Sequence, residues 1–253
     1  MPCVPLVWRR LPYGVHAGAR NMALDHALAD AVENGRGTLR LYGWSRPTVS
    51  LGRNEPAPAH LLAALPSARF DVVRRPTGGR AVFHDRELTY AVVAPLGTLG
   101  GVREAYVRIH EALAAGLRSI GAPAEVVGGV AAGRSLAPDA GPCFQVPTHG
   151  EVVARGRKLV GSAQVRIGRA LLQHGSILLE GDQGPLAPSP APITLRELIG
   201  NVSIDEVGGV VAHSLSAGLG GTWVDGEVSA TEQAVADRWE ADRYASDSWT
   251  FRR

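Results

Sequence analysis

The chain has 253 residues, 45% of them hydrophobic and 20% charged, with a net charge of +2 at pH 7. That balance excludes a disordered polypeptide, and so small a charge gives no electrostatic case for nucleic acid. The length suffices for a substantial apolar core, while 31 glycines and 17 prolines announce many turns. Two cysteines, Cys3 and Cys143, are too few for a disulfide framework and lack metal-ligand spacing, so free thiols in a reducing cytoplasm are expected. The N-terminal apolar run has no basic region before it, and no run approaches the ~20 residues of a membrane helix. No signal peptide and no membrane association are expected.

In chain order, apolar residues at Leu24, Ala27, Leu28, Ala31 and Val32 predict a helix over Asn21 to Asn34, stopped by Gly35. Strands follow over Thr38 to Tyr42 and Thr48 to Gly52, then a short helix around Ala59 to Leu65 and a strand over Phe70 to Arg75. Arg80 to Phe83 and Leu88 to Ala94 are expected to pair with each other across His84-Asp85-Arg86-Glu87. Val102, Tyr106, Ile109, Leu113 and Leu117 mark an amphipathic helix ending at Gly121, followed by a brief strand at Glu125 to Val127. Residues 128–142 are rich in Gly, Ala and Pro and lead to Cys143. A hairpin is predicted over Glu151 to Ala154 and Lys158 to Val165, with a third strand at Ala170 to Leu179. Beyond a Pro-rich connector, Ser203-x-x-Glu206 and Ser229-x-x-Glu232 are capping-box starts of two helices. The tally is an α+β fold of mixed, mostly antiparallel sheets flanked by helices, in one domain over residues 1–253.

Two stretches look like a site. The first is Arg74-Arg75-Pro76-Thr77-Gly78-Gly79-Arg80-Ala81-Val82-Phe83-His84-Asp85, where two glycines allow a sharp turn and close approach to a ligand. It is neither a GxxxxGK[ST] loop nor a GxGxxG loop, and a strand rather than a helix follows. Arg74, Arg75, Arg80 and His84 crowd that turn, and such a group needs an anionic ligand, acidic neighbours or water. The second is Lys158-Leu159-Val160-Gly161-Ser162-Ala163-Gln164, with Cys143 upstream.

Lys158 is the only lysine among 26 basic residues. A position that keeps a compact ammonium where arginine is otherwise used points to a requirement for that shape. Cys143 ends a Gly-Pro run instead of lying on an apolar face, and a thiol beside an ammonium could hold an acyl group as a thioester. Gln173-His174-Gly175-Ser176 on a neighbouring strand could line the same cleft. His84, His149 and His174 show no metal-ligand spacing, so no metal site is predicted.

The arginine–glycine stretch, Glu87-Leu88-Thr89-Tyr90, Gly156 to Gln164 and Leu172 to Ser176 together resemble the biotin/lipoate protein ligase and transferase superfamily, most closely its LipM-type octanoyltransferases. The likeness extends to Asn21 to Asp25, Leu41-Tyr42-x-Trp44, Ser50 to Arg53 and Tyr244-x-Ser246-Asp247-x-Trp249. The resemblance implies a biotin/lipoate ligase-like catalytic domain that takes octanoyl from acyl carrier protein and passes it to a lysine of a lipoyl domain, such as the glycine-cleavage H protein. It implies Cys143 as nucleophile and Lys158 as the residue that orients the acyl carbonyl. Arg74, Thr77, Gly78, Gly79, Arg80, His84 and His174 would form the acyl pocket, with Gly161, Ser162 and Ala163 leaving room for the chain. No cofactor is implied, ATP entering only for the alternative of a lipoate ligase acting through an acyl-adenylate. Chain length, Arg80 in place of a third glycine, and Cys143 favour the transferase.

Overall fold

A computed structural model describes residues 6–57, 63, 69–128, 150–186 and 191–252. Its strands, in chain order, are β1 (Val7–Arg10), β2 (Gly14–His16), β3 (Arg36–Trp44), β4 (Thr48–Leu51), β5 (Asp71–Arg74), β6 (Val82–His84), β7 (Glu87–Pro95), β8 (Ala124–Val126), β9 (Val152–Ala154), β10 (Arg157–Ile167), β11 (Ala170–Leu178) and β12 (Thr222–Asp225). The helices are α1 (Gly18–Asp30), α2 (Val102–Ser119), α3 (Leu195–Ile199), α4 (Ile204–Leu219), α5 (Ala230–Trp239) and α6 (Asp247–Thr250), with a π-helical turn at Glu240–Tyr244. Among the described residues no helix is long and apolar enough to cross a membrane.

The large sheet runs β12-β1-β3-β7-β11-β10-β9-β8, with β2 beside β3, and β5-β4-β6 form a second, small sheet. β7 explains why the large sheet is central: it is buried along its whole length, and its residues divide between two cores. Leu88, Tyr90 and Val92 join Ile109, Leu113 and Leu117 of α2 and Val207, Val211 and Leu215 of α4. Ala91 and Val93 face the other way, toward Leu28 of α1 and Leu172 of β11. The large sheet thus has an α2–α4 face and an α1 face. Met22 and Ala23 of α1 share a cluster with Val73 of β5, so the small sheet lies on the α1 side.

The α+β expectation holds, and the β9–β10–β11 meander is antiparallel as predicted. Its first turn puts Arg155 at φ 51° and Gly156 at φ 72°, the left-handed pair that a two-residue hairpin turn requires. One pairing differs: β6 bonds to β4 and β7 to β3 and β11, so the two predicted hairpin strands belong to different sheets. The chain does turn there, but over only Asp85 and Arg86, and the turn carries it from one sheet to the other. The first helix starts at Gly18 and ends at Asp30, earlier at both ends than its apolar spacing indicated. Ser229 and Glu232 form the full reciprocal box, whereas Ser203 accepts from the Glu206 amide without the return bond. Apart from residue 63, the helix expected around Ala59 to Leu65 has only residues outside the described ones.

Candidate active site

Where the small sheet meets the α1 face of the large one, a narrow cavity of about 30 Å³ is bordered by Ser50, Val82 and His84 on one side and by Thr89, Gly161, Ala163, His174 and Ser176 on the other. Met22, Trp44 and Arg75 complete much of its wall. Register explains why residues of three strands meet here. Gly161 pairs with Ser176 and Ala163 with His174, and Ser176 pairs with Thr89, so each set shares one face of the sheet. Ser162, between them, faces the other way. Its Oγ lies 2.7 Å from Tyr90 Oη and 2.8 Å from His110 Nε2, on the α2 side.

A β-bulge decides the placement of Lys158. Val160 pairs with Val152, and both pack in the α2–α4 core, whereas Lys158 pairs with Val153, the next residue along β9. The register shift falls at Leu159, so Lys158 is turned to the face opposite Val160, which is the face of Gly161 and Ala163. In a regular strand, residues 158 and 160 would share the apolar core. Lys158 is buried, 2% exposed, and its Nζ donates to Glu151 Oε1 at 2.6 Å.

The arginine–glycine stretch is built from the inside. The Arg74 guanidinium donates to the carbonyls of Gly52 and Glu55, each at 2.6 Å, and of Thr250 at 2.9 Å. Arg75 donates to the carbonyls of Ser50, Gly78 and Arg80. Much of the charge that sequence reasoning offered to an anionic ligand is therefore spent on backbone carbonyls. Burial, followed by the neighbouring Arg252 charge, lowers the Arg74 guanidinium from its usual range. The turn is tight: a Cβ on Gly52 would lie 1.9 Å from Gly79 O, and Gly79 has φ +88°. Nothing lies within 4 Å of a Cβ built on Gly78.

Two imidazoles hold this turn and the cavity wall. His174 Nδ1 lies 2.9 Å from Asp25 Oδ2, and its Nε2 lies 2.7 Å from Thr77 Oγ1. Burial lowers the His174 pKa, the Asp25 interactions opposing it, so the ring is neutral near pH 7. Burial acts to raise the Asp25 carboxyl, but the hydrogen bond from His174 and the Arg40 charge outweigh it and hold it below the ordinary range. The carboxylate thus accepts Nδ1–H, and the bare Nε2 takes the Thr77 proton. His84 spans Ser50 Oγ and Glu87 Oε1, 2.7 Å from each, and stacks on Trp44 at 3.9 Å. Ser176 and Thr89 also donate to Glu87 Oε1, at 2.7 and 2.6 Å. Polar groups along the wall are thus tied to one another, and the cavity is lined mainly by carbon.

Of the residues singled out from sequence, Arg75, His84, Gly161, Ser162, Ala163, His174 and Ser176 border the cavity, Ser162 with its hydroxyl turned away. Arg74, Thr77, Gly78, Gly79 and Arg80 form the adjoining turn and its support. Cys143 lies outside the described residues. The chain leaves the described part at Gly128 and re-enters at Gly150, where Gly150 N bonds Val127 O and Val127 N bonds Glu151 O. Those ends are pinned together next to the carboxylate that holds Lys158.

Sequence reasoning missed Met22, Trp44 and Ser50 in the wall, and the polar group of Tyr90 and His110 that Gln173 joins behind Ser162, whereas Ser176 lines the cavity as expected. Burial lowers His110 to about 4, with Lys158 adding to the shift and the hydrogen bond to Gly150 O opposing it. The one available signal was the position of His110, four residues after Tyr106 on the apolar side of α2, where the structure buries it fully.

The family described as the lipoyl protein ligase A/B catalytic domain matches residues 17–211. The octanoyltransferase LipM of Kyrpidia tusciae is 40% identical, covering 97% of this chain and 99% of that protein. The octanoyltransferase LipM of Symbiobacterium thermophilum is 38% identical over 97% of this chain and 98% of its own length. Among solved structures, a lipoate-protein ligase A bound with ATP superposes with a TM-score of 0.81 at 22% identity, covering 97% of this chain and 99% of the other. A bi-partite lipoate protein ligase from Thermoplasma acidophilum gives 0.77 at 20% identity, covering 97% and 96%. Those two similarities establish the fold.

Proposed function

The chain belongs to the lipoyl protein ligase A/B catalytic family and, within it, to the LipM octanoyltransferases, and from that premise we propose that it carries an octanoyl group from acyl carrier protein to the lysine of a lipoyl domain. The group waits as a thioester on Cys143, and a chain with only two cysteines suits a cytoplasmic enzyme. The observation that carries this reading is the turning of Lys158 by the Leu159 bulge onto the face of Gly161 and Ala163, beside a wall whose polar atoms bond to one another.

Each residue then has a physical task. Cys143 attacks the incoming thioester carbonyl as its thiolate, the carbon–sulfur bond to the carrier breaks, and the carrier leaves as a thiol that carries the proton Cys143 gave up. In the second half the acceptor amine attacks the Cys143 thioester, an amide forms, and the displaced thiolate recovers a proton from the amine nitrogen. Lys158 favours the thiolate and the negative charge that builds on the carbonyl oxygen. Glu151 fixes the direction of that ammonium. The carbon-lined wall receives the aliphatic chain, and Met22, with its flexible thioether, is the part of that wall best able to yield as the chain enters.

The test is an intact mass after incubation with octanoyl-acyl carrier protein. An octanoyl adduct is expected on the wild type, absent in Cys143→Ala, followed by octanoyl transfer to a lipoyl domain without ATP. Absence of the adduct, with lipoate and ATP supporting transfer in Cys143→Ala, would replace the transferase by the ligase.

A further inference from the structure

Three arginines next to the glycine turn are left over once the site is assigned. Arg53 donates its amide to Thr77 O, which places it directly against the turn. Arg252 bonds Arg53 O and stacks on Trp249, its guanidinium carbon 3.9 Å from the ring centroid. Arg243 stacks on the same Trp249 ring at 4.6 Å and on Trp239 at 4.3 Å. Trp249 is itself tied to the site, since its indole N–H donates to Arg74 O at 2.9 Å.

Two of these cations share one indole, and among the described residues all three lack the carboxylate that pairs with a number of the surface arginines. Arg9, Arg10, Arg20, Arg86, Arg157 and Arg196 each have a carboxylate within ion-pair distance. No ion pair to Arg53, Arg243 or Arg252 is found among the described residues, and burial together with the Arg53 and Arg243 charges lowers Arg252 below its ordinary range. Grouping like charges costs energy in the free protein, and stacking two of them on a fixed indole restricts how far they can separate. Such an arrangement is complementary to an anionic surface that approaches the turn.

We propose that Arg53, Arg243 and Arg252, organised by Trp249, form the docking face for an acidic protein, the carrier that delivers the acyl thioester. The proposal rests on the transferase reading above and adds to it the surface that the donor protein occupies. The face contributes to encounter with the carrier and takes no part in the chemistry. Its contribution is therefore sensitive to salt and absent for a donor without a protein.

The experiment measures kcat/KM for octanoyl-acyl carrier protein, for octanoyl-phosphopantetheine and for octanoyl-pantetheine, each with the same lipoyl-domain acceptor. In R53E/R252E and in R243E, kcat/KM for the carrier-borne donor is expected to fall about tenfold or more at low ionic strength, through KM, with both small donors within about twofold of wild type. Added salt should bring the wild type down toward the variants, and R53K/R252K should retain most of the activity. Equal loss for octanoyl-phosphopantetheine would overturn the proposal by assigning the arginines to a phosphate. A rise in KM for the acceptor alone would overturn it by assigning them to the lipoyl domain. Transfer from octanoyl-pantetheine by the wild type tests the transferase reading separately, so the two can fail independently.

Discussion

His174 and Asp25, 149 residues apart in sequence, form one buried pair at 2.9 Å, and the other nitrogen of that histidine holds Thr77 at the head of the glycine turn. The turn is therefore suspended from α1 through β11. Replacing Thr77 with Val removes the proton that His174 Nε2 accepts and leaves a buried acceptor bare, at a cost of ~1–3 kcal/mol. Thr77→Ser keeps the hydroxyl. Urea denaturation should rank wild type and Thr77→Ser above Thr77→Val, and octanoyl transfer should follow the same order. Equal transfer by the Val and Ser variants would show that the turn holds its shape without the relay.

Asp25 bears more load than the turn alone. Its carboxylate accepts from His174, from Tyr42 Oη at 2.9 Å and from Arg40 Nη1 at 2.8 Å, and both Asp25 and Arg40 are buried. Asp25→Asn withdraws the negative charge from the buried guanidinium and sets an amide N–H against one of three donors. The expected loss is ~3–5 kcal/mol, read from denaturant midpoints. A loss below about 1 kcal/mol would mean that Arg40 finds its compensation in Asn21, to which it also donates.

Glycines of one turn should respond differently to the same substitution. Gly52→Ala would put a Cβ 1.9 Å from Gly79 O, a backbone atom that cannot swing aside, so the strand and turn must separate. A loss of ~1–3 kcal/mol or more is expected, with transfer largely abolished. Gly78→Ala meets nothing within 4 Å and should be tolerated in both measurements. Sequence alone ranks the two the other way, because Gly78 belongs to the visible glycine pair and Gly52 stands apart.

That reversal illustrates what the sequence could and could not carry. The β9–β10–β11 meander and the α2 helix were legible, because hairpin turns and apolar periodicity are local signals. The sheet change between His84 and Glu87 was not, since the same short turn can fold back on its own strand or pass to another sheet. Lys158 was identified by composition, but its orientation depends on a one-residue bulge at Leu159 that leaves no mark in the residue pattern. Arg74 and Arg75 looked like anion ligands, whereas Arg74 donates to the carbonyls of Gly52, Glu55 and Thr250, brought in by tertiary packing, and Arg75 to those of Ser50 and of Gly78 and Arg80 in its own turn. Trp44, between two predicted strands, and Ser50, within one, were given no place in the site for the same reason.

The Lys158–Glu151 pair is buried on both sides, and its energy can be separated from its chemistry. Glu151→Gln, Lys158→Gln and the double variant form a cycle in which a coupling of ~1–3 kcal/mol is expected for stability. Lys158→Gln should also abolish transfer. Glu151→Gln keeps the ammonium but loosens its direction, so it should lower transfer by about tenfold or more while retaining some thioester formation. Additive stabilities would show that the two side chains do not depend on each other.

Acid sensitivity should trace in part to His110. Its pKa is lowered to about 4, chiefly by burial, against an unfolded value of 6.5, so between those limits the unfolded chain binds more protons than the folded one. Stability therefore falls as pH drops through this window and is restored above it. A shift of that size corresponds to ~3 kcal/mol of stability between pH 7 and pH 4. His26, also lowered to about 4, and His174 titrate in the same direction, so the wild-type slope is a composite. His110→Gln removes one proton-binding site from that window and can still bond Ser162. Urea denaturation at a series of pH values should show a shallower fall for the variant, with the curves converging toward pH 4. Parallel curves would mean that His110 takes up its proton in the folded protein as readily as in the unfolded chain.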